Sequence, residues 1–89
     1  MTRNRTKADI ISDLLGTLED RGGYVRPTPL MYASNLSHGQ MKKYLEEMVA
    51  KGWIINTKGM IQLTPAGQRL LVKLREMRNF ELAMGIRDE

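Results

Sequence analysis

At Gly52 the hydrophobic period of this chain changes, and the change limits what it can fold into. Upstream, Met41, Tyr44, Leu45, Met48 and Val49 recur at three- and four-residue intervals, the spacing of one helix face. Ser37 and Gln40 precede them with the S-x-x-Q spacing of a capping box, in which the serine oxygen takes the N3 amide and the glutamine reaches back to the N-cap amide. Downstream, Trp53-Ile54-Ile55-Asn56-Thr57 and Met60-Ile61-Gln62-Leu63 are rich in strand formers, with Lys58-Gly59 between them. The expectation is a helix over 37–51, stopped by a C′ glycine and followed directly by a hairpin. Lysine is a poor first residue for a type I′ turn, so a type II-like or bulged loop is expected, with Gly59 at positive φ.

Ile10, Ile11, Leu14, Leu15 and Leu18 mark an earlier helix, opened by the capping-box spacing of Thr6 and Asp9 and closed by Gly22-Gly23. Tyr24-Val25-Arg26, held extended by Pro27, is either a small strand or a linker. Thr28-Pro29 predicts an N-cap with proline at N1, starting a short helix through Leu30, Met31 and Ala33 that ends near Asn35. Two helices joined by the turn Ser34-Asn35-Leu36 form a helix-turn-helix pattern, with the helix from Ser37 as the reader.

Thr64-Pro65 opens a last helix running through Gly67, Leu70, Leu71, Leu74, Met77, Phe80 and Met84. At about 20 residues it is a rod of roughly 30 Å, longer than so small a body can cover. Leu70, Leu71 and Leu74 can reach the core, whereas Met77, Phe80, Leu82 and Met84 would lie exposed in a monomer. A homodimeric coiled coil with Leu70, Leu74, Met77, Phe80 and Met84 at its interface is therefore expected, against a frayed or folded-back tail. The heptad through Leu70, Leu74 and Met77 brings Glu81 into the seam. The fold class is mainly α with a small β-hairpin (α+β). A winged helix-turn-helix occupies residues 1–64, with a basic arm over 1–7, and a long dimerisation helix occupies 65–89.

Composition removes several function classes. The 89 residues contain no cysteine, which excludes disulfides and thiolate metal sites and is compatible with a cytosolic chain. No apolar run approaches the about 20 residues that span a bilayer, and the basic start lacks the apolar stretch of a signal peptide. No membrane association is expected, and a cytoplasmic location is. One histidine and no paired carboxylates in a plausible cleft leave no nucleophile or acid-base pair to nominate, and neither nucleotide-loop glycine motif is present. The expectation is a protein that is not an enzyme, without cofactor, metal or small-molecule substrate.

The formal charge of +4 favours a polyanionic partner, and its placement says more than its size. Bases gather at Arg26, Lys42 and Lys43 and again from Lys51 to Arg78, which points to double-stranded DNA. Arg26, Lys42, Lys43 and Lys58 suit phosphates, which position a protein without reading sequence. At the helix start, Ser37 is the cap and Gly39 permits close approach. His38 and Gln40 carry the directional groups there, and Gln40 either closes the cap or pairs with adenine. No arginine fronts this helix, so the commonest guanine contact is absent and weak or shape-based preference is expected. Arg3, Arg5 and Lys7 form either a groove-tracking arm or a frayed terminus. Tyr44 and Trp53 read as packing residues.

Tyr44-Leu45-Glu46-Glu47-Met48-Val49-Ala50-Lys51-Gly52-Trp53-Ile54, then Ile61-Gln62-Leu63-Thr64-Pro65-Ala66-Gly67 and the long final helix, resemble the archaeal winged-helix regulators. The subgroup they resemble is the small DNA-binding proteins of the Sso-ten-a type. The likeness covers nearly the whole chain. Its Leu-x-x-x-Val-x-Lys-Gly and Leu-Thr-x-x-Gly elements recur across many winged-helix families, so they specify the fold better than the subgroup. The resemblance implies a homodimer joined by antiparallel final helices. It implies helix 37–51 in the major groove and the wing 56–60, with Lys58 and Gly59 at its tip, on the backbone or minor groove. It further implies a transcriptional regulator or a nucleoid-associated chromatin protein; the alternative is a protein-protein adaptor in a larger assembly.

Overall fold

A computed structural model describes residues 5–87 of the chain. The elements run α1 (Lys7–Asp20), β1 (Tyr24–Val25), α2 (Pro27–Ala33), α3 (His38–Ala50), β2 (Ile54–Thr57), β3 (Met60–Leu63) and α4 (Pro65–Ala83). The α1 capping box forms as expected. Thr6 Oγ1 accepts from the Asp9 amide and the Asp9 carboxylate accepts from the Thr6 amide, both at 3.1 Å. The α1 stripe of Ile10, Ile11, Leu14, Leu15 and Leu18 is buried, together with Val25, Leu30, Met31, Leu36, Met41, Met48, Ile54, Ile61 and Leu71. Every described helix, and each strand, therefore gives at least one side chain to a single core.

Each described helix ends in the same motif, in which a residue of positive φ at C′ turns the next amide back onto the helix. The returning bonds are Gly23 to Leu18, Leu36 to Met31, Trp53 to Met48 and Ile86 to Glu81, at 2.7, 3.1, 3.0 and 2.9 Å. In α2 the turning residue is Asn35 (φ 55), and the reversal drops Leu36 into the core. That tight exit is what sets α3 across α2 as the second helix of a helix-turn-helix.

The short helix α2 starts earlier than Thr28-Pro29 suggests. Arg26 is its N-cap, without a side-chain cap bond, and Pro27 occupies N1. The first helical amides have no intrahelical acceptor, so Pro29 two residues later also fits the first turn without removing a bond. Proximity of a second proline disguised the true start. Tyr24-Val25 resolves as a strand: β1 pairs antiparallel with β3, Tyr24 opposite Gln62 and Val25 opposite Ile61. The sheet order is β1-β3-β2.

The hairpin turn differs from the expectation of a type II-like or bulged loop. Pairing of β2 with β3 continues unbroken to Thr57 opposite Met60, which leaves a two-residue loop and no residue for a bulge. Both loop residues have positive φ, 52° at Lys58 and 77° at Gly59, the signature of a type I′ turn. Strand twist imposes the primed turn, and Lys58 bears a left-handed conformation that costs an ordinary side chain about 1 kcal/mol.

Thr64 joins three elements. Its Oγ1 accepts from the Gly67 amide at 3.0 Å, capping α4, and donates to the Gly52 carbonyl at 2.6 Å, at the end of α3. Along α4, Glu19 of α1 accepts from Gln68 and from Arg75, the latter at 2.8 Å. At the far end Arg87 returns to bridge Asp9 of α1 and Glu81 of α4, each at 2.9 Å. The chain thus folds back after Ala83, and Leu82, expected to be exposed, is half-buried.

Candidate nucleic-acid interface

Successive residues of a helix turn by about 100°, so burial sorts the sides of α3. Met41 and Met48 are buried and Tyr44 and Leu45 half-buried against the core, which fixes the inner face. Val49, assigned to that face from spacing, is 43% exposed. Counted from Met41 it lies about 80° around the axis, beyond the edge of the stripe. Tyr44 and Trp53 pack against the core as expected.

Three rows remain outside. His38, Lys42 and Glu46 form one flank, Gly39 and Lys43 the centre, and Gln40 and Glu47 the other flank. The first flank lines an open groove whose further walls are Pro27, Thr28 and Met31 of α2 and Asn56 of β2, with Met41 and Leu45 of α3 in its lining. Arg26 precedes the Pro27-Thr28 wall, and Asn56 leads to Lys58-Gly59 at the exposed wing tip. The fold brings His38 and Lys42 into this groove; Gly39 and Lys43 face outward beside it. Asn56, Thr28 and Glu46 were missed by sequence reasoning. Nothing local in the sequence places them there, because the groove exists only once β2 lies beside α3.

The Ser37-Gln40 capping box is closed. Ser37 Oγ accepts from the Gln40 amide at 3.2 Å, and Gln40 Oε1 accepts from the Ser37 amide at 3.0 Å. This settles the alternative left open by the spacing as far as Oε1 is concerned: the acceptor half of a bidentate adenine contact is occupied. Gly39 lies in open space at an ordinary helical φ, so neither packing nor backbone conformation requires a glycine there.

Ion pairing divides the bases into two groups. Arg5 pairs with Asp13, Lys7 with Glu47, Lys73 with Glu76, Arg75 with Glu19, and Arg87 with both Asp9 and Glu81. Among the described residues, no carboxylate pairs with Arg26, Lys42, Lys43 or Lys58; Arg21, Lys51 and Arg69 are likewise outside these pairs. Arg5 also donates to the Asn35 carbonyl at 3.3 Å, so Arg5 and Lys7 are tied to the body of the domain. Arg3 lies outside the described residues. Asp13, Glu19 and Asp9 of α1 thus hold the chain start, α4 and the segment after α4, while the front of α3 and the wing keep their positive charge, tempered by Glu46.

Two carboxylates in that scaffold titrate below the ordinary range. Burial pushes Asp9 upward, but hydrogen bonds with Thr6 and Arg87 outweigh it. Glu19 is held down by the hydrogen bond from Gln68 and then by Arg75. Among the described residues, no group of three or more His, Asp or Glu side chains is disposed to hold a metal ion, and no helix is long and apolar enough to cross a membrane.

Of the residues expected at a dimer interface, Leu70 and Leu74 are half-buried against the core. Met77, Phe80 and Met84 are 57, 61 and 62% exposed, and Ile86, not anticipated, joins them at 69%.

Residues 4–82 match the model of the winged helix-turn-helix family. Two uncharacterized proteins of Methanocaldococcus jannaschii are related over 73 residues, 82% of this chain. One is 32% identical and the match spans 34% of its length; the other is 29% identical and the match spans 73%. The crystal structure of Sso10a-2, a DNA-binding protein from Sulfolobus solfataricus, superposes with a TM-score of 0.74 at 18% identity, covering 96% of this chain and all of that one. At that identity the likeness speaks for the fold.

Proposed function

The chain belongs to the winged helix-turn-helix family, and on that premise we propose that it binds double-stranded DNA through α3 and the β2-β3 wing. In this reading α3 enters the major groove with its N-terminal half, and Lys58-Gly59 meets the backbone or minor groove. The observation that carries it is the charge of α3, its approach and the wing: among the described residues Arg26, Lys42, Lys43 and Lys58 are in no ion pair, and Lys42 lines the groove between α2, α3 and β2, whereas Arg5, Lys7, Arg75 and Arg87 are paired. Phosphates neutralise such groups with release of counterions, which makes the affinity salt-dependent. The description of Sso10a-2 as a DNA-binding protein supports the same reading.

Sequence reading by this surface is weak. Gln40 is engaged in its own cap, His38 is the remaining directional group of the first turn, and no arginine fronts α3. The chain therefore works as an architectural or broadly specific DNA binder, as a homodimer whose two reading heads are joined through the exposed apolar stripe of α4. Met77, Phe80 and Met84 form that stripe, while Leu70 and Leu74 are half-buried against the core. Binding measured on random and on selected duplexes tests this. A specificity ratio below about a thousand supports an architectural role, and a ratio in the upper range of sequence-specific proteins indicates a dedicated regulator. Absence of DNA binding at low salt would favour a protein-protein adaptor.

A further inference from the structure

The three strands of the sheet align so that one row of side chains faces outward. Tyr24 stands opposite Gln62, and Gln62 opposite Ile55. Residues directly opposite share a face, and successive residues alternate between faces. The adjoining Val25, Ile61 and Ile54 are buried in the core, so Tyr24, Gln62 and Ile55 point the other way; Tyr24 is 57% exposed and Ile55 44%. Two residues along, Met60 and Thr57 continue this outer face toward the tip at Lys58. Arg26 returns to it as well, because the backbone there is still extended, at φ −72° and ψ 154°. Asn56 lines the groove beside α3, so its neighbour Ile55 faces away from the surface assigned to the duplex.

We propose that this outer face binds single-stranded DNA, with an unpaired base stacked on the Tyr24 ring and a neighbouring base laid over Ile55. The row from Tyr24 through Gln62 to Ile55 spans two strand spacings, about 10 Å. Inside a duplex the flat faces of the bases are hidden in the stack, whereas an unpaired strand presents them, and aromatic platforms take them with little regard to sequence. The charge fits the same occupant. No acid occurs from Arg21 through Leu45 or from Met48 through Arg75, so the strands and their connections carry no negative side chain. Arg26 at the edge and Lys58 at the tip are in no ion pair among the described residues and are available to phosphates. An apolar row alone suits many partners; unpaired cations beside it favour a polyanion, and the aromatic ring favours one with exposed bases. The choice of DNA over RNA rests on the duplex reading above, since the face borders the wing where an opened strand would lie.

The test measures fluorescence anisotropy of a labelled oligothymidylate of about 16 nucleotides, which cannot pair with itself, alongside a duplex of equal length. The full chain is compared with Tyr24→Ala, Tyr24→Phe and the Lys42→Ala, Lys43→Ala double variant. Wild type should bind the strand, more weakly as salt rises. Tyr24→Ala should weaken strand binding by about tenfold and leave duplex binding unchanged, while Tyr24→Phe, which keeps the ring, should retain both. The double variant should lose duplex affinity and keep the strand. A strand carrying iododeoxyuridine should crosslink to Tyr24 under ultraviolet light. Failure of wild type to bind oligothymidylate at low salt overturns the proposal, as does tighter binding of oligouridylate. Strand binding that falls in the lysine double variant and ignores Tyr24→Ala also overturns it, since the strand would then occupy α3, and the duplex reading would stand. Strand binding that depends on Tyr24 in a chain that binds no duplex would uphold this face and defeat the duplex reading.

Discussion

The Trp53 carbonyl oxygen occupies the space into which a Cβ at Gly67 would project, closer than real Cβ contacts come. Gly67 is buried in the first turn of α4, where Thr64 caps the helix and also grips the Gly52 carbonyl. The end of α3, the start of β2 and the start of α4 meet there without room for a methyl group. In an open helix, Gly→Ala would stabilise by up to about 1 kcal/mol. Here Gly67→Ala is predicted to destabilise by about 1–3 kcal/mol, as overpacking of a tight contact does. Urea denaturation measures it, and a Gly67→Ala chain as stable as wild type would contradict the contact.

Ser37→Ala removes the oxygen that takes the Gln40 amide and opens the reciprocal pair at the start of α3. Loss of a serine cap costs about 1 kcal/mol. The same denaturation experiment should show that loss, and no change in midpoint would mean the box contributes nothing in solution.

Asp9 and Glu19 lie below their ordinary values in the folded state. A carboxyl depressed in this way adds stability above its unfolded value and loses it as pH falls toward its folded one. Thermal stability should therefore decline from about pH 4.5 downward, as the pairs linking α1 to α4 are protonated. Glu19→Gln, which cannot lose a charge, should show a shallower decline across the same interval. Parallel pH profiles for the two proteins would contradict the assignment.

The apolar stripe of Met77, Phe80 and Met84 is more than half exposed, a condition that calls for a partner. Phe80→Asp places a charge in the proposed seam without touching the core. Sedimentation should give a dimer for wild type and a monomer for Phe80→Asp at tens of micromolar, and an unaltered dimer would move the interface elsewhere.

What the sequence revealed was mostly local. Both capping boxes, the Gly52 stop and the α1 stripe follow from residues within a turn or two of one another, and they formed as read. The start of α2 was obscured because Pro27, Thr28 and Pro29 all suit a first turn, and the choice fell to the strand before it. Lys58 takes positive φ because register across β2 and β3 leaves a two-residue loop, against its own preference. Nothing near Arg87 announces that it reaches Asp9 at the opposite end of the chain. The outward seam of α4 was legible only after Glu19, through Arg75 and Gln68, had fixed which side of the helix faces α1. In the DNA-facing region, Lys42 and His38 were identifiable, while Asn56 needed β2 to be laid beside α3.

The central claim is that α3 and the wing bind DNA through their uncompensated bases. The direct measurement is the salt dependence of duplex affinity for wild type and for the Lys42→Ala, Lys43→Ala double variant. The account predicts weaker binding on all sequences and a salt slope reduced by about 2, one for each phosphate contact removed. Unchanged affinity and an unchanged slope in the double variant would contradict it.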